Sequence, residues 1–218
     1  RGTHDILPEE RSRWAYVYEA AARVLGRAGV QELTPPVFEH AEVFVKSAGA
    51  SSDLVVQKEM YTFADAGGRS LTLRPEFTPG VLRAFIEHGF YTHPLPVKLW
   101  SYGPIFRAER PQRGRFRQFH QLNCEILGLG TPIIDAEAIT LLYRVLKACG
   151  LKDLSVKLGS VGDREDAAAY NEYLKGELGK REGELSETSK ERLRLNPMRV
   201  LDSKDAGDQR LIASLKRP

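Results

Sequence analysis

Cysteine is scarce in this 218-residue chain. Cys124 and Cys149 stand far apart and form no Cys-x-x-Cys pair. That excludes a disulfide-built scaffold and a cysteine-based zinc site, and makes a reducing compartment, the cytoplasm, the expected setting. Long apolar runs are missing too. None approaches the roughly 20 residues of a membrane span, and the opening Arg1-Gly2-Thr3-His4-Asp5 has no apolar leader, so neither membrane insertion nor secretion is expected. Internal repeats and low-complexity segments are also lacking. His4, His40, His88 and His93 show no metal-ligand spacing, so no metal site is expected. Net charge is small: 32 basic residues against 29 acidic ones leave +3, which by itself argues for no nucleic-acid partner.

What is present is uneven. Between Arg107 and Arg117 lie Arg107, Arg110, Arg113, Arg115 and Arg117 against the single acid Glu109. This eleven-residue stretch is +4 and the rest of the chain is slightly negative. A hydrophobic fraction of 42% with 28% charged residues suits a folded domain.

Periodicity predicts the elements. Pro8-Glu9-Glu10 opens a helix with Trp14, Val17, Tyr18, Ala21 and Leu25 on its apolar stripe, ended by Gly26 and Gly29. Val30–Thr34 reads as a short strand stopped by Pro35-Pro36. Lys58–Asp65 and Arg69–Glu76 read as a hairpin turning at Ala66-Gly67-Gly68. A helix is predicted over Thr78–His88, strands over Pro94–Phe106 and Phe119–Leu127, a helix over Asp135–Cys149 built on Ile139, Leu142 and Leu146, and a strand over Leu154–Leu158. From 163 the chain turns polar and helical, with Tyr170, Tyr173, Leu174, Leu178 and Leu185 as apolar anchors. The pattern predicts an α+β fold with a mainly antiparallel sheet flanked by helices, organised as a domain over 1–162 and a polar helical segment over 163–218.

Strand residues two apart share a face. His120, Leu122, Cys124 and Ile126 form an apolar side, so His120 and Cys124 read as core. Phe119, Gln121, Asn123 and Glu125 form a polar side, and Arg107, Glu109 and Glu76 carry the same chemistry nearby. A solvated sheet face is the plain explanation. Carboxylates and an amide are unusual there, however, and the set of fixed cation, amide and acids suits a ligand with an amine and a phosphate. The arginine run is either a solvated tip or a mobile anion-binding loop, and Pro111, Gly114 and the shortage of acids favour the loop.

Four stretches resemble histidyl-tRNA synthetase, a class II aminoacyl-tRNA synthetase: residues 1–9, opening Arg-Gly-Thr-His-Asp; Glu32-Leu-Thr-Pro-Pro-Val-Phe-Glu39, similar to motif 1; Leu71-Thr-Leu-Arg-Pro-Glu76, similar to the amino-acid-binding strand; and Phe106 through Gln121 to Glu125, similar to motif 2. Asn196–Lys204 resembles the segment leading into this family's insertion domain, so 163–218 would be a polar helical segment leading into that domain. The resemblance implies a class II catalytic core that activates histidine with ATP and Mg²⁺ and transfers it to the 3′ end of the histidine tRNA. It implies Arg107 as the catalytic group, Arg107, Glu109, Arg115 and Phe119 at ATP, and Glu76, Phe77, Thr78, Arg107, Gln121 and Glu125 at histidine. Gln112, Arg113 and Arg117 would lie near the tRNA acceptor end, no side chains would hold a metal, and motif 1 would form a homodimer.

Two positions depart from the family pattern. Phe77 stands where glycine is usual, so its ring either points away from the site or narrows it, and Pro79 follows Thr78. An Arg-Gly-Leu-Asp-Tyr-Tyr-like peptide, motif 3 and an anticodon-binding domain do not occur in these residues, which end at Arg217-Pro218. The expectation is therefore part of a longer enzyme, inactive alone. A second reading is the synthetase-like histidine-sensing subunit that works with ATP phosphoribosyltransferase, and a third is a catalytically dead module. Arg115, Phe119 and the long loop favour the enzyme, since a sensor needs none of them.

Overall fold

A computed structural model describes residues 1–47, 59–159 and 162–215. Lys58, the expected start of a strand, and the closing Arg217-Pro218 lie outside them. The chain divides into two compact units, Arg1–Leu154 and Ser155–Pro218. The sequence-based division at 162 falls just before the first helix of the second unit. Among the described residues no helix is long and apolar enough to cross a membrane.

The first unit is α+β. Helix α1 (Pro8–Arg27) starts with proline, whose missing N–H costs nothing there, and with Glu9 and Glu10 at the positive end of the dipole. Strand β1 is only Gln31–Glu32 and runs parallel to β5 (Val97–Phe106), which pairs antiparallel with β6 (Gln118–Leu127) along its whole length. A second sheet, all antiparallel, has the order β2 (Phe38–His40), β4 (Ser70–Leu73), β3 (Tyr61–Ala64). The hairpin expected at Ala66-Gly67-Gly68 joins β3 to β4. Among the described residues of the unit are also helices α2 (Ala41–Ser47), α3 (Thr78–Glu87) and α4 (Pro132–Ala148) and a 3-10 turn (Phe90–Thr92).

The β5–β6 ribbon is covered on both faces. One face, with Trp100, Leu122, Cys124 and Ile126, packs with Ala21 and Leu25 of α1 and Leu141 and Val145 of α4. The other, with Leu99, Ile105 and Phe119, packs with Phe77, just before α3, and with Val81 of α3.

Three expectations change. The polar residues form part of a two-sheet arrangement rather than one sheet, because the strand expected over Arg69–Glu76 stops at Leu73. On α4 the buried line is Leu141 and Val145, while Ile139 and Leu142 are exposed; the helix is apolar on more than one side, and periodicity alone could not choose. Leu154–Leu158 is not a strand. Val156 and Leu158 are exposed there, and among the described residues no neighbouring strand offers the segment a ladder.

Arg74 links the two sheets. It is 3% exposed and has no ion-pair partner among the described residues. Its Nε donates to Pro104 O at 2.9 Å and its Nη1 to Pro35 O at 2.6 Å, and its guanidinium lies 4.5 Å over the Phe77 ring. Its own amide and carbonyl bond Val37 O and Phe106 N.

In the second unit, α5 (Arg164–Gly179), α6 (Glu187–Leu195), a 3-10 turn (Pro197–Asp202) and α7 (Ala206–Ala213) enclose Leu174, Leu178, Leu185, Leu193, Val200 and Leu211. Beside this core, the fully buried Asp208 accepts from the Ser186 amide (2.8 Å) and from the hydroxyls of Ser186, Ser189 and Ser203 (2.7, 2.6 and 2.5 Å). Burial pushes its carboxyl up, but these donors outweigh burial and hold it well below the usual carboxylate range.

Arg74→Met should lower the stability of the first unit by about 3 kcal/mol, because it strands buried carbonyls; urea unfolding measures this. The Asp208 contribution is fully present above the unfolded carboxyl value near 3.8 and is lost as pH falls below it. Thermal melts of wild type should therefore weaken more between pH 5 and pH 3 (about two units across that carboxyl's titration) than melts of Asp208→Asn.

Candidate functional site

The site face is set by alternation along β6. Phe119, Gln121, Asn123 and Glu125 lie opposite Ile105, Gly103, Ser101 and Leu99 of β5. The opposite side is core, as the pattern predicts. The His120 ring lies tilted 4.3 Å from that of Trp14 and 5.5 Å from that of Tyr102, and burial, with Arg11 and Arg74 nearby, pushes its pKa down. Burial first, then Glu125 and Glu137, pushes the Cys124 thiol up to about 11, so it stays protonated and unreactive near neutrality.

At one end of the polar face, Thr78 opens α3 and its hydroxyl donates to Glu125 Oε1 at 2.6 Å. The Asn123 amide donates to the same oxygen at 3.1 Å. Glu125 is thereby held by two neutral donors. Gln121 lies farther along the strand, and its Oε1 is buried with no hydrogen-bond partner among the described residues. A lone acceptor in that position is costly in the empty protein and suits an incoming N–H. Its cross-strand neighbour is Gly103, where a Cβ would stand 3.0 Å from Arg74 Nη2. Glycine there lets the buried guanidinium pass beneath the face.

At the other end, Arg107 continues β5 into the arginine-rich loop. Its Nε donates to Pro75 O at 3.0 Å, and its guanidinium lies 5.5 Å over the Phe119 ring. Its Nη1 is 3.9 Å from Glu109 Oε1, while Glu109 Oε2 is 3.3 Å from Arg115 Nη1. The Glu109 side chain is 15% exposed and that of Arg115 is 55% exposed, so a fixed acid sits beside a cation able to reach outward. The face from Phe119 to Glu125 runs about 20 Å.

Each expected site residue has a definite place. Thr78 and Glu125 meet at one end, and Arg107, Glu109, Arg115 and Phe119 come together at the other; Gln121 lies between them on the same face, one face position from Phe119. Glu76 is half-buried between β4 and α3. Phe77 is different: its ring is 1% exposed, packed with Val81, Leu99 and Ile105 beneath Arg74. Its ring lies on the same side of the ribbon as Phe119 and Gln121, 3.7 Å from where a Cβ on Gly103 would stand, but it is buried there as part of the core. Pro79 sits in the first turn of α3, where no N–H is needed. Gln112 and Arg113 are at the loop tip, where Gln112 and Arg115 exchange main-chain bonds. The Arg117 Nε donates inward to Glu109 O at 3.1 Å.

Two residues were not singled out from the sequence. Glu59 accepts the Ala108 amide on its main-chain oxygen at 2.7 Å, and its carboxyl is pushed up by burial and by Glu109, against Arg107 and Arg115. Nothing in its sequence spacing marks it, since it lies far upstream of the loop it joins. Arg74 appeared only as the arginine of the Leu71-Thr-Leu-Arg-Pro-Glu76 stretch. Among the described residues no group of three or more His, Cys, Asp or Glu side chains is placed to hold a metal ion.

A family model described as histidyl-tRNA synthetase matches residues 2–171. The chain belongs to the histidyl-tRNA synthetase family. A histidine–tRNA ligase of Thermus thermophilus is 55% identical over 215 residues, covering 99% of this chain and 51% of that protein. The apo histidyl-tRNA synthetase of S. aureus has a TM-score of 0.72 at 33% identity, covering all of this chain and 50% of that one. A Bacillus halodurans protein described as an ATP phosphoribosyltransferase regulatory subunit/histidyl-tRNA synthetase has a TM-score of 0.65 at 24% identity, covering 99% and 58%, and shows the fold alone. The chain spans about half the length of the curated relatives it matches. The fold is thus that of the class II synthetase family, over the part these residues cover.

Gln121→Met should leave the ligand-free protein as stable as wild type or more stable by about 1 kcal/mol, because it removes a buried unpaired acceptor at nearly constant shape. A urea midpoint clearly below wild type would show that the amide is paired in solution.

Proposed function

We propose that this chain carries the histidine and ATP sites of a histidine–tRNA ligase, working as part of a longer protein. The observation that supports this most is the shared face of β6. An end with Thr78 and Glu125 continues, through Gln121, into a cationic, aromatic end of Arg107, Glu109, Arg115 and Phe119.

The chemistry follows from those groups. Glu125 accepts the imidazole N–H of histidine, Gln121 Oε1 accepts from the α-ammonium, and Glu76 with Thr78 and the Phe77 main chain closes the amine end. A buried acid opposite an imidazole discriminates strongly, because a wrong side chain leaves it unpaired. Phe119 supports the adenine ring, Glu109 accepts its exocyclic amine, and Arg115 meets the outer phosphates of MgATP, the Mg²⁺ entering with the nucleotide. The histidine carboxylate oxygen attacks the α-phosphorus, the bond to the bridging oxygen breaks, and pyrophosphate leaves. Arg107, already held by Pro75 O and Phe119, stabilises the charge gathering on the α-phosphate without reorganising. A 3′-terminal ribose hydroxyl of the histidine tRNA then attacks the activated carbonyl and AMP leaves, with Gln112, Arg113 and Arg117 beside the acceptor end.

A homodimer through the motif 1 region belongs to the same reading. Val37, Phe38 and Phe63 are 41%, 55% and 44% exposed around the second sheet, an apolar surface that a second copy would cover. The reading places this work in the cytoplasm. No observation favours the histidine-sensing alternative: the 55% identical relative is named a ligase, and the jointly named protein is similar at 24%.

Histidine-dependent ATP–pyrophosphate exchange by the full-length gene product tests the proposal. Arg107→Ala should lower it by at least about 100-fold, and activity within about tenfold of wild type would remove Arg107 from its role. Glu125→Ala should act mainly on the KM for histidine. Histidine binding by the wild-type protein without any exchange would transfer the reading to the sensor.

A further inference from the structure

The residues before α1 take no part in the proposed chemistry, yet they are held against the arginine-rich loop. Gly2 O accepts the Arg117 amide at 2.7 Å and the Gln118 amide at 3.2 Å. The His4 ring lies 5.2 Å from that of Phe116. Gly2 itself has φ 90°, and a Cβ there would stand 2.9 Å from Arg117 Cγ and 3.0 Å from Pro111 Cγ. Both the conformation and the space therefore require glycine.

Arg117 passes this restraint on to the site. Its carbonyl accepts the Arg107 amide at 2.9 Å, and its Nε donates to Glu109 O at 3.1 Å. One backbone oxygen thus fixes Arg117, and Arg117 fixes both the cation and the acid of the proposed nucleotide end. Farther out the loop is joined by the Gln112–Arg115 main-chain exchange, which does not reach Arg107. We infer that Gly2 is a positioning residue for the Arg107–Glu109 pair, and that residues 1–7 form a strap across the root of the arginine-rich loop that pre-orders it for a nucleoside triphosphate. The nucleotide consequence rests on the synthetase reading; the strap itself does not.

The test uses the full-length protein with Gly2→Ala, and Thr3→Ala as a control on an exposed neighbour. Hydrogen exchange of peptides spanning 107–118 reads the strap directly. Gly2→Ala should speed it by about tenfold or more, given the cost of a Cβ at positive φ, while Thr3→Ala leaves it as in wild type. In the ATP–pyrophosphate exchange assay Gly2→Ala should raise the KM for ATP by about tenfold, raise the KM for histidine by less, and leave the urea midpoint near wild type. Unchanged hydrogen exchange at 107–118 would overturn the strap. Equal rises in both KM values together with a lower urea midpoint would reduce Gly2 to a structural residue and overturn the positioning role. If wild type shows no histidine-dependent exchange, the synthetase reading fails, and hydrogen exchange alone decides the strap.

Discussion

The buried guanidinium of Arg74 is the constraint on which the first unit depends. An ion of that size is expensive to remove from water, and here carbonyl oxygens rather than a carboxylate compensate it. Carbonyls come with fixed main chain, so meeting the demand of one side chain sets three segments at once: the Pro35-Pro36 turn before the second sheet, the β5 strand at Pro104, and the end of β4. The Phe77 ring beneath the guanidinium adds a favourable face and seals the core under α3. Glycine at 103 is part of the same solution, since any side chain would crowd the guanidinium.

From that junction the site follows mechanically. Arg74 orients the backbone of Pro75, whose carbonyl holds Arg107, and it precedes Thr78, whose hydroxyl holds Glu125. The two ends of the polar face are therefore tied to one structural element. Their electrostatics differ in kind. Glu125 is held by neutral donors, which leaves its charge for a ligand. Glu109 is shared between Arg107 and Arg115, and so serves to aim cations. The +4 of the arginine run is thereby resolved into unequal parts. Arg107 and Arg117 are bonded inward to main-chain oxygens, while Arg113 and Arg115 remain open to solvent.

Much of this was legible in the chain because it depends on short-range repetition. Period-two alternation along Phe119–Ile126 separated the apolar face, packed on α1 and α4, from the polar one, whose Phe119 also packs toward α3. Glycines at 67 and 68 marked the β3–β4 hairpin, and Pro8 with its acids marked α1. The family motifs, being local strings, pointed to the family that the comparisons show. The misses share one cause. Leu154–Leu158 has strand composition but no strand to pair with among the described residues; Ile139 and Leu142 are as apolar as Leu141 and Val145 but face outward; Glu59 reaches the loop from far upstream. Each is decided by what stands opposite, and a sequence window does not contain its opposite side.

The amino-acid sequence by itself determined which residues could share a face, where the chain must turn, and that positive charge would gather in one loop. These follow from backbone geometry and composition over a few residues. Only the tertiary structure decided that the Phe77 ring is buried, that Arg74 is a buried joint, that Gln121 presents an acceptor without a partner among the described residues, and that Gly2 closes on Arg117. Those outcomes depend on burial and on partners distant in sequence, and desolvation has no value until the fold states what surrounds a group.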